Sequence, residues 1–147
     1  MKKNQLSPEE YSNILSSINL ESIVLNECNT KRYEVKSKGG MVNLDIAMKL
    51  KYDQDTNNAY FIATYKLDGV KEKESEGEKE PVFTISASFL LTYTKTKEIE
   101  MPKDFVDIFK ENGIELVSWP YFREFVQNMI TRMGYPPLTL PNKFFNK

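Results

Sequence analysis

The sequence predicts an α+β domain: a four-stranded antiparallel meander sheet followed by two helices packed on one of its faces. Three observations lead there. Between Val42 and Thr94, three segments alternate apolar and polar residues with a period of two, the mark of strands with one buried face. Beyond Pro102 the apolar spacing becomes helical. The two patterns do not interleave, and strands gathered ahead of helices argue for segregated layers, not a parallel α/β sheet.

The elements follow in order. "SPEE", Ser7 to Glu10, is a capping-box pattern with proline in the first turn, and predicts a short helix to about Leu15 with Tyr11, Ile14 and Leu15 on one face. "INLESIVLNEC", Ile18 to Cys28, reads as extended, and "KSKGG" supplies a turn. "VNLDIAMKLKY" places Val42, Leu44, Ile46, Met48, Leu50 and Tyr52 on one face. "AYFIATYKL" does the same with Phe61, Ala63, Tyr65 and Leu67, and "PVFTISASFLLTYT" with Phe83, Ile85, Ala87, Phe89, Leu91 and Tyr93. "DQDTNN" joins the first two of these strands, and their closeness in sequence makes antiparallel hairpins the simplest pairing. "KEKESEGEKE", residues 71–80, has eight charged residues in ten and reads as a solvated hairpin loop; its interspersed lysines weaken a reading as a docking site for a basic partner. "KDFVDIFKENG" is a first helix with Phe105, Val106, Ile108 and Phe109 inward and Gly113 as its stop. "IELVS" leads to a second helix over roughly Pro120 to Met133, ended by Gly134, Pro136 and Pro137, and residues 134–147 form an extended proline-rich tail.

At 147 residues the chain makes one domain spanning 1–147, with residues 1–17 as an N-terminal helical arm. Its hydrophobic share of 40% and charged share of 28% are those of a globular protein. Twenty basic and 21 acidic residues leave a formal charge of −1, which gives no electrostatic case for nucleic acid. No apolar run reaches the length of a membrane span, so membrane insertion is not expected. "NQLSPEEYS" follows Met1-Lys2-Lys3 where a signal peptide would have its apolar core, so the cytoplasm is the default location.

The sequence also lacks the parts of familiar catalytic sites. Histidine is absent and Cys28 is the only cysteine, so an internal disulfide is impossible and a Cys/His metal site has no ligands. Neither GxxxxGK[ST] nor GxGxxG occurs, nor does GxSxG. No two carboxylates are paired in an apolar setting. No enzyme, cofactor or metal is expected from such a chain.

What stands out is the stretch "SWPYFREFVQNMITRMGYPPLTLP". At about 100° per residue Trp119, Phe122, Val126, Met129, Ile130 and Met133 form one stripe, and Tyr121 and Phe125 widen it to about half the helix circumference. A helix packed on one sheet needs an arc of only about 100°. The excess predicts a second contact, with a sister chain, the first helix or a client. Trp119, Tyr121, Phe122, Phe125 and Met129 are the candidate oligomer-interface residues. Leu138, Leu140, Phe144 and Phe145 either seal the gap between helix and sheet or, with Met133, line an apolar groove, where flexible methionine suits varied occupants.

The same stretch resembles the signature region of the SecB family of protein-export chaperones. The matching residues are Trp119-Pro120-Tyr121 and Arg123-Glu124 at the helix start, then Gly134, Pro137, Leu138, Leu140, Pro141 and Phe144. The resemblance spans roughly residues 18–144, and its specific part is the last thirty. It implies a homotetramer, a dimer of dimers in which strands pair across subunits and the long helices pack between dimers. It also implies an ATP-independent holdase that keeps newly made proteins unfolded for Sec-dependent export and hands them to SecA. The family is markedly acidic and uses that surface on SecA, whereas this chain is nearly neutral, which counts against SecA as a partner. A SecB-like chaperone dedicated to one client, such as the antitoxin of a toxin–antitoxin pair, is the alternative. From another class comes a domain binding a small apolar ligand between sheet and helices.

Overall fold

The computed structural model describes residues 6–36, 39–72 and 78–142. Helix α1 (Pro8–Leu15) is followed by strands β1 (Ile18–Arg32), β2 (Val42–Gln54), β3 (Asn58–Glu72) and β4 (Lys79–Lys95). Then come α2 (Lys103–Phe109), a π-helical turn at Lys110–Glu115, and α3 (Leu116–Arg132). The predicted α+β class holds, with four antiparallel strands ahead of α2 and α3.

Local chemistry sets the boundaries. The Ser7 hydroxyl accepts from the Glu10 N–H at 3.1 Å and opens α1, as the capping box predicts. Between β2 and β3 the Asp55 carboxylate accepts from the Asn57 and Asn58 N–H groups at 2.9 and 2.7 Å, which fixes a tight turn. Those backbone donors also hold the Asp55 carboxyl below its ordinary pKa. Gly134, at φ 85°, ends the helical run; the Tyr135 N–H then closes on the Ile130 carbonyl at 3.2 Å.

The sheet order is β1-β4-β3-β2. Strands β2 to β4 form the expected meander, but β1 pairs with β4 and not with its sequence neighbour β2, so the segment after Arg32 carries the chain across the sheet to the opposite edge. The β2–β3 ladder runs from Val42 opposite Lys71 to Gln54 opposite Ala59 without a break. The β1–β4 ladder is interrupted by two bulges, between Leu20 and Ser22 and between Leu25 and Glu27.

The helical region departs from the expectation in one consequential way. Gly113 does not stop α2. Its neighbourhood, Lys110–Glu115, forms a π-helical turn, so helical backbone continues from Lys103 to Arg132 and Pro120 lies inside α3, in its second turn. The physical reason is tight packing: a side chain at Gly113 would collide with the Phe109 ring, so glycine lets the chain stay helical against that ring. Pro120 lacks the N–H that would bond the Leu116 carbonyl, so the continuous helical backbone forgoes one hydrogen bond there.

The helical layer therefore covers the centre of the sheet. Phe109 sits edge-on to Phe61 and Tyr93 at 5.6 and 5.4 Å, while Tyr65 stacks on Phe122 at 5.0 Å and lies 5.7 Å from Trp119. All three sheet contributors to these contacts and their neighbours, Ala59 to Leu67 and Phe83 to Tyr93 on alternate positions, are buried. The Tyr65 hydroxyl and Ser118 Oγ are 2.7 Å apart, and Ser118 donates to the Ile114 carbonyl, so the polar atoms in this core are partnered. Burial pushes the phenols of Tyr65 and Tyr93 up to about 12.

Candidate functional site

A strand spacing of about 4.8 Å makes a four-stranded sheet roughly 15–20 Å across, and one α-helix with side chains covers about 10–12 Å. A single helical row thus shelters two strands. Here those are β3 and β4, and the two edge strands keep apolar side chains in solvent. Leu20, Val24 and Leu25 of β1 are exposed, as are Val42, Leu44 and Tyr52 of β2, with Met41 just ahead of it. On α3, Leu116 and Tyr121 are exposed. The unsheltered apolar surface is therefore wider than the final helix alone and lies mostly on the edge strands.

Two of the edges' features meet on the helix side of the sheet. Leu25 pairs with Phe89 across the β1–β4 ladder, and the Tyr121 ring lies 6.1 Å from the Phe89 ring. Leu20 and Ile23 pair with Tyr93 and Leu91 on the same face. Tyr121 and Phe125, four residues apart, share one flank of α3. β1 and that flank thus frame an open apolar surface of Leu20, Ile23, Leu25, Tyr121 and Phe125 over the buried Phe89.

The candidate residues divide accordingly. Trp119 and Phe122 are buried in the protomer's own core, where they pack against Tyr65. Tyr121 is exposed, and Phe125 and Met129 are half-buried at the core margin. Among the groove candidates, Leu140 takes the sealing place beside the helix. It is buried, because the tail returns along the helix: the Trp119 indole N–H donates to the Pro141 carbonyl at 2.8 Å and Arg123 donates to the Asn142 side chain. Leu138 and Met133 remain half-buried against the core. Met133 closes on the sheet through its carbonyl, which accepts from Arg32 Nε at 3.0 Å. Phe144 and Phe145 lie outside the described residues. The charged loop is shorter than expected, since residues 71, 72, 79 and 80 belong to strands, and its centre, 73–77, lies outside the described residues.

Sequence reading missed Leu20, Leu25, Leu44 and Tyr52 as surface. Alternation assigns Leu44 and Tyr52 to the helix-side face, whereas Leu20 and Leu25, five residues apart, share that face only through the bulge between Leu20 and Ser22; neither pattern says how many strands the helix covers. The signal that could have found them is the single helical row, and the misplaced stop at Gly113 hid it.

Other features carry less chemistry. A cavity of about 570 Å³ opens over the rim formed by Leu44, Gly69 and Phe83, with Lys66, Asp68, Glu72 and Lys79 around it. No helix residue lines it, so it is not the gap between sheet and helices. Among the described residues no group of three or more His, Cys, Asp or Glu side chains could hold a metal ion. No described helix is long and apolar enough to cross a membrane. Cys28 is exposed on β1.

No protein-family model matches the chain, and no curated protein matches it. Among solved structures, it is similar to the SecB-like chaperone Rv1957 of Mycobacterium tuberculosis in complex with a ChAD peptide from the Rv1956 HigA1 antitoxin. The TM-score is 0.73 at 15% sequence identity, over 92% of this chain and 96% of that one. A protein of unknown function from Streptococcus agalactiae aligns with a TM-score of 0.41 at 14% identity, over 84% of this chain and 96% of that one. The first likeness shows that the fold is SecB-like.

Proposed function

We propose that this protein is an ATP-independent holdase that binds unfolded or newly made proteins through its apolar surface. The observation that carries the reading is the open surface framed by β1 and the Tyr121–Phe125 flank of α3, in a fold shared with a chaperone solved on a peptide ligand.

Non-native chains display apolar segments that folded proteins hide. Burial of those segments gains about 25 cal/mol per Å² without any placed polar group, so selectivity is low. The half-buried Met129 and Met133 at the margin of the surface adapt to differing shapes. An extended client adds main-chain hydrogen bonds where it meets a free sheet edge. Leu138, in the returning tail, is half-buried against the core. Tyr121, Phe125 and Met129 also serve contacts between sister chains in a homotetramer, a dimer of dimers. Nothing in this mechanism consumes a nucleotide, and the work is placed in the cytoplasm, ahead of Sec-dependent export.

A second reading is favoured by a specific observation: the SecB-like neighbour is bound to a peptide from an antitoxin. A formal charge of −1 gives little acidic surface for SecA. Both support a chaperone dedicated to one client, such as the antitoxin of a toxin–antitoxin pair.

The test is aggregation of a chemically unfolded protein without nucleotide. The holdase suppresses it at near-stoichiometric amounts; undiminished aggregation at a several-fold molar excess rejects the general reading. Capture of one protein instead of many from the source cell decides for the dedicated chaperone.

A further inference from the structure

The open surface between β1 and α3 changes character along its length. Beyond Leu25 the helix-side positions of β1 are Cys28, Thr30 and Arg32, opposite Ala87, Ile85 and Phe83, and all three are exposed. On α3 the flank that begins with Tyr121 and Phe125 continues, at spacings of three and four, with Asn128 and Arg132, both exposed. The apolar part thus gives way to a polar part that ends in two arginines. They meet at the C-terminus of α3: Arg132 is its last residue, and Arg32 Nε donates to the carbonyl of the next one, Met133, at 3.0 Å.

Each guanidinium is anchored through one nitrogen only. Arg132 Nε donates to Asn128 Oδ1 at 2.8 Å, and Arg32, tied by its own Nε, lies over the Tyr135 ring at 5.6 Å. The two Nη groups of each, the end-on fork that fits a carboxylate, make no bond among the described residues. Neither arginine has an acidic partner there either. Glu27, the acid of this part of β1, lies opposite Ser88 on the other face of the sheet. Capping of the helix end accounts for one cation and for the Nε of Arg32. It does not account for a second, oriented on a side chain of the open flank.

We infer that Arg32 and Arg132 take an acidic side chain of an extended client whose apolar residues lie against Tyr121 and Phe125. This rests on the holdase reading and deepens it, because it names the segments that bind best: apolar ones with Asp or Glu a short way along the chain. From Tyr121 to Arg132 the helix rises about 16 Å, and from Phe125 about 10 Å. An extended client covers those spans in about five and three residues, so the carboxylate stands three to five residues from the apolar contact. A nucleic-acid phosphate would suit the two forks, but not the apolar floor beside them.

The experiment is fluorescence anisotropy on the full chain with three labelled, unfolded peptides. They are identical except for Glu, Gln or Lys placed four residues beyond an apolar pair. The Glu peptide binds roughly 5- to 10-fold more tightly than the Gln peptide and the Lys peptide most weakly, and high salt narrows the gap. Arg32→Gln with Arg132→Gln brings the Glu and Gln peptides to one affinity, and Arg132→Glu reverses the order in favour of Lys. If the double variant does not fold, Arg132→Gln alone, which leaves the Arg32 bond to Met133 in place, carries the same readout. Equal binding of all three peptides by the wild type overturns the assignment and leaves the holdase reading standing. A preference that survives in variants of lowered thermal stability assigns the arginines to capping of α3 and overturns it equally. So does displacement of the Glu peptide by a single-stranded oligonucleotide at lower concentration than by the unlabelled peptide. If no peptide binds and aggregation of an unfolded protein is undiminished, the holdase reading and the assignment fall together.

Discussion

Tyr121→Ser separates a binding role for the α3 flank from a packing role. The Tyr121 side chain is 48% exposed, with its inner part against Phe89 at 6.1 Å. A fully buried aromatic side chain removes roughly 150–250 Å² from water, so about 100 Å² of Tyr121 is left for an occupant. At about 25 cal/mol per Å² this amounts to a ceiling of about 2.5 kcal/mol, or roughly 60-fold in affinity. Ordering the partner offsets part of it, and a loss between about 10- and 60-fold is expected. The cost to folding is smaller, about 1–2 kcal/mol for the part that rests on Phe89. The assay is fluorescence anisotropy of a labelled, permanently unfolded protein, with oligomeric mass measured on the same samples. Glu124→Ser, at an exposed polar position of the same helix, keeps affinity within about twofold and serves as control. Tyr121→Ser binding within twofold of wild type, at unchanged mass, would refute the reasoning.

Three further outcomes follow from the core. Trp119→Phe removes the indole donor to the Pro141 carbonyl; it costs about 1–2 kcal/mol in urea unfolding and speeds hydrogen exchange along residues 134–142. Gly113→Ala drives a methyl into the Phe109 ring, so a loss of up to about 2 kcal/mol remains after the roughly 1 kcal/mol that alanine gains in helical backbone. A gain in stability there would contradict the packing described. Tyr65 and Tyr93 are held neutral by burial up to about 12, above the ordinary 10.0. A raised folded pKa gives stability that is whole below pH 10 and is lost as pH rises from 10 through 12, where the unfolded phenols ionise and the folded ones do not. Alkaline unfolding midpoints should therefore fall in that window, and Tyr65→Phe with Tyr93→Phe should flatten the decline.

How much of this was legible beforehand depends on which interaction sets each feature. The Ser7 cap, the Asp55 turn region and the Gly134 stop were readable because neighbours in sequence make them. The burial of Phe61, Tyr65, Phe89 and Leu91 followed from period-two alternation in strands that prove central. The same rule misjudged Leu44 and Tyr52, since burial at an edge depends on the width of the opposing layer, which no local pattern encodes. The position of β1 beside β4 is likewise a long-range choice. Gly113 shows the converse error: a residue suited to ending a helix is used to bring backbone close to Phe109 and keep the helix going. Of the residues singled out on α3, Trp119 and Phe122 went to the core, because they project onto Tyr65; Tyr121 stayed outside, a third of a turn away from that line.

Client-footprint mapping by hydrogen exchange tests the central claim most directly. With an unfolded client in excess, amides of β1 from Leu20 to Cys28 and the α3 segment around Tyr121 and Phe125 should gain protection, while β3 stays as protected as it is alone. Protection confined to the polar sheet face of Thr64, Ser86 and Thr92, or none anywhere at saturating client, would contradict the account.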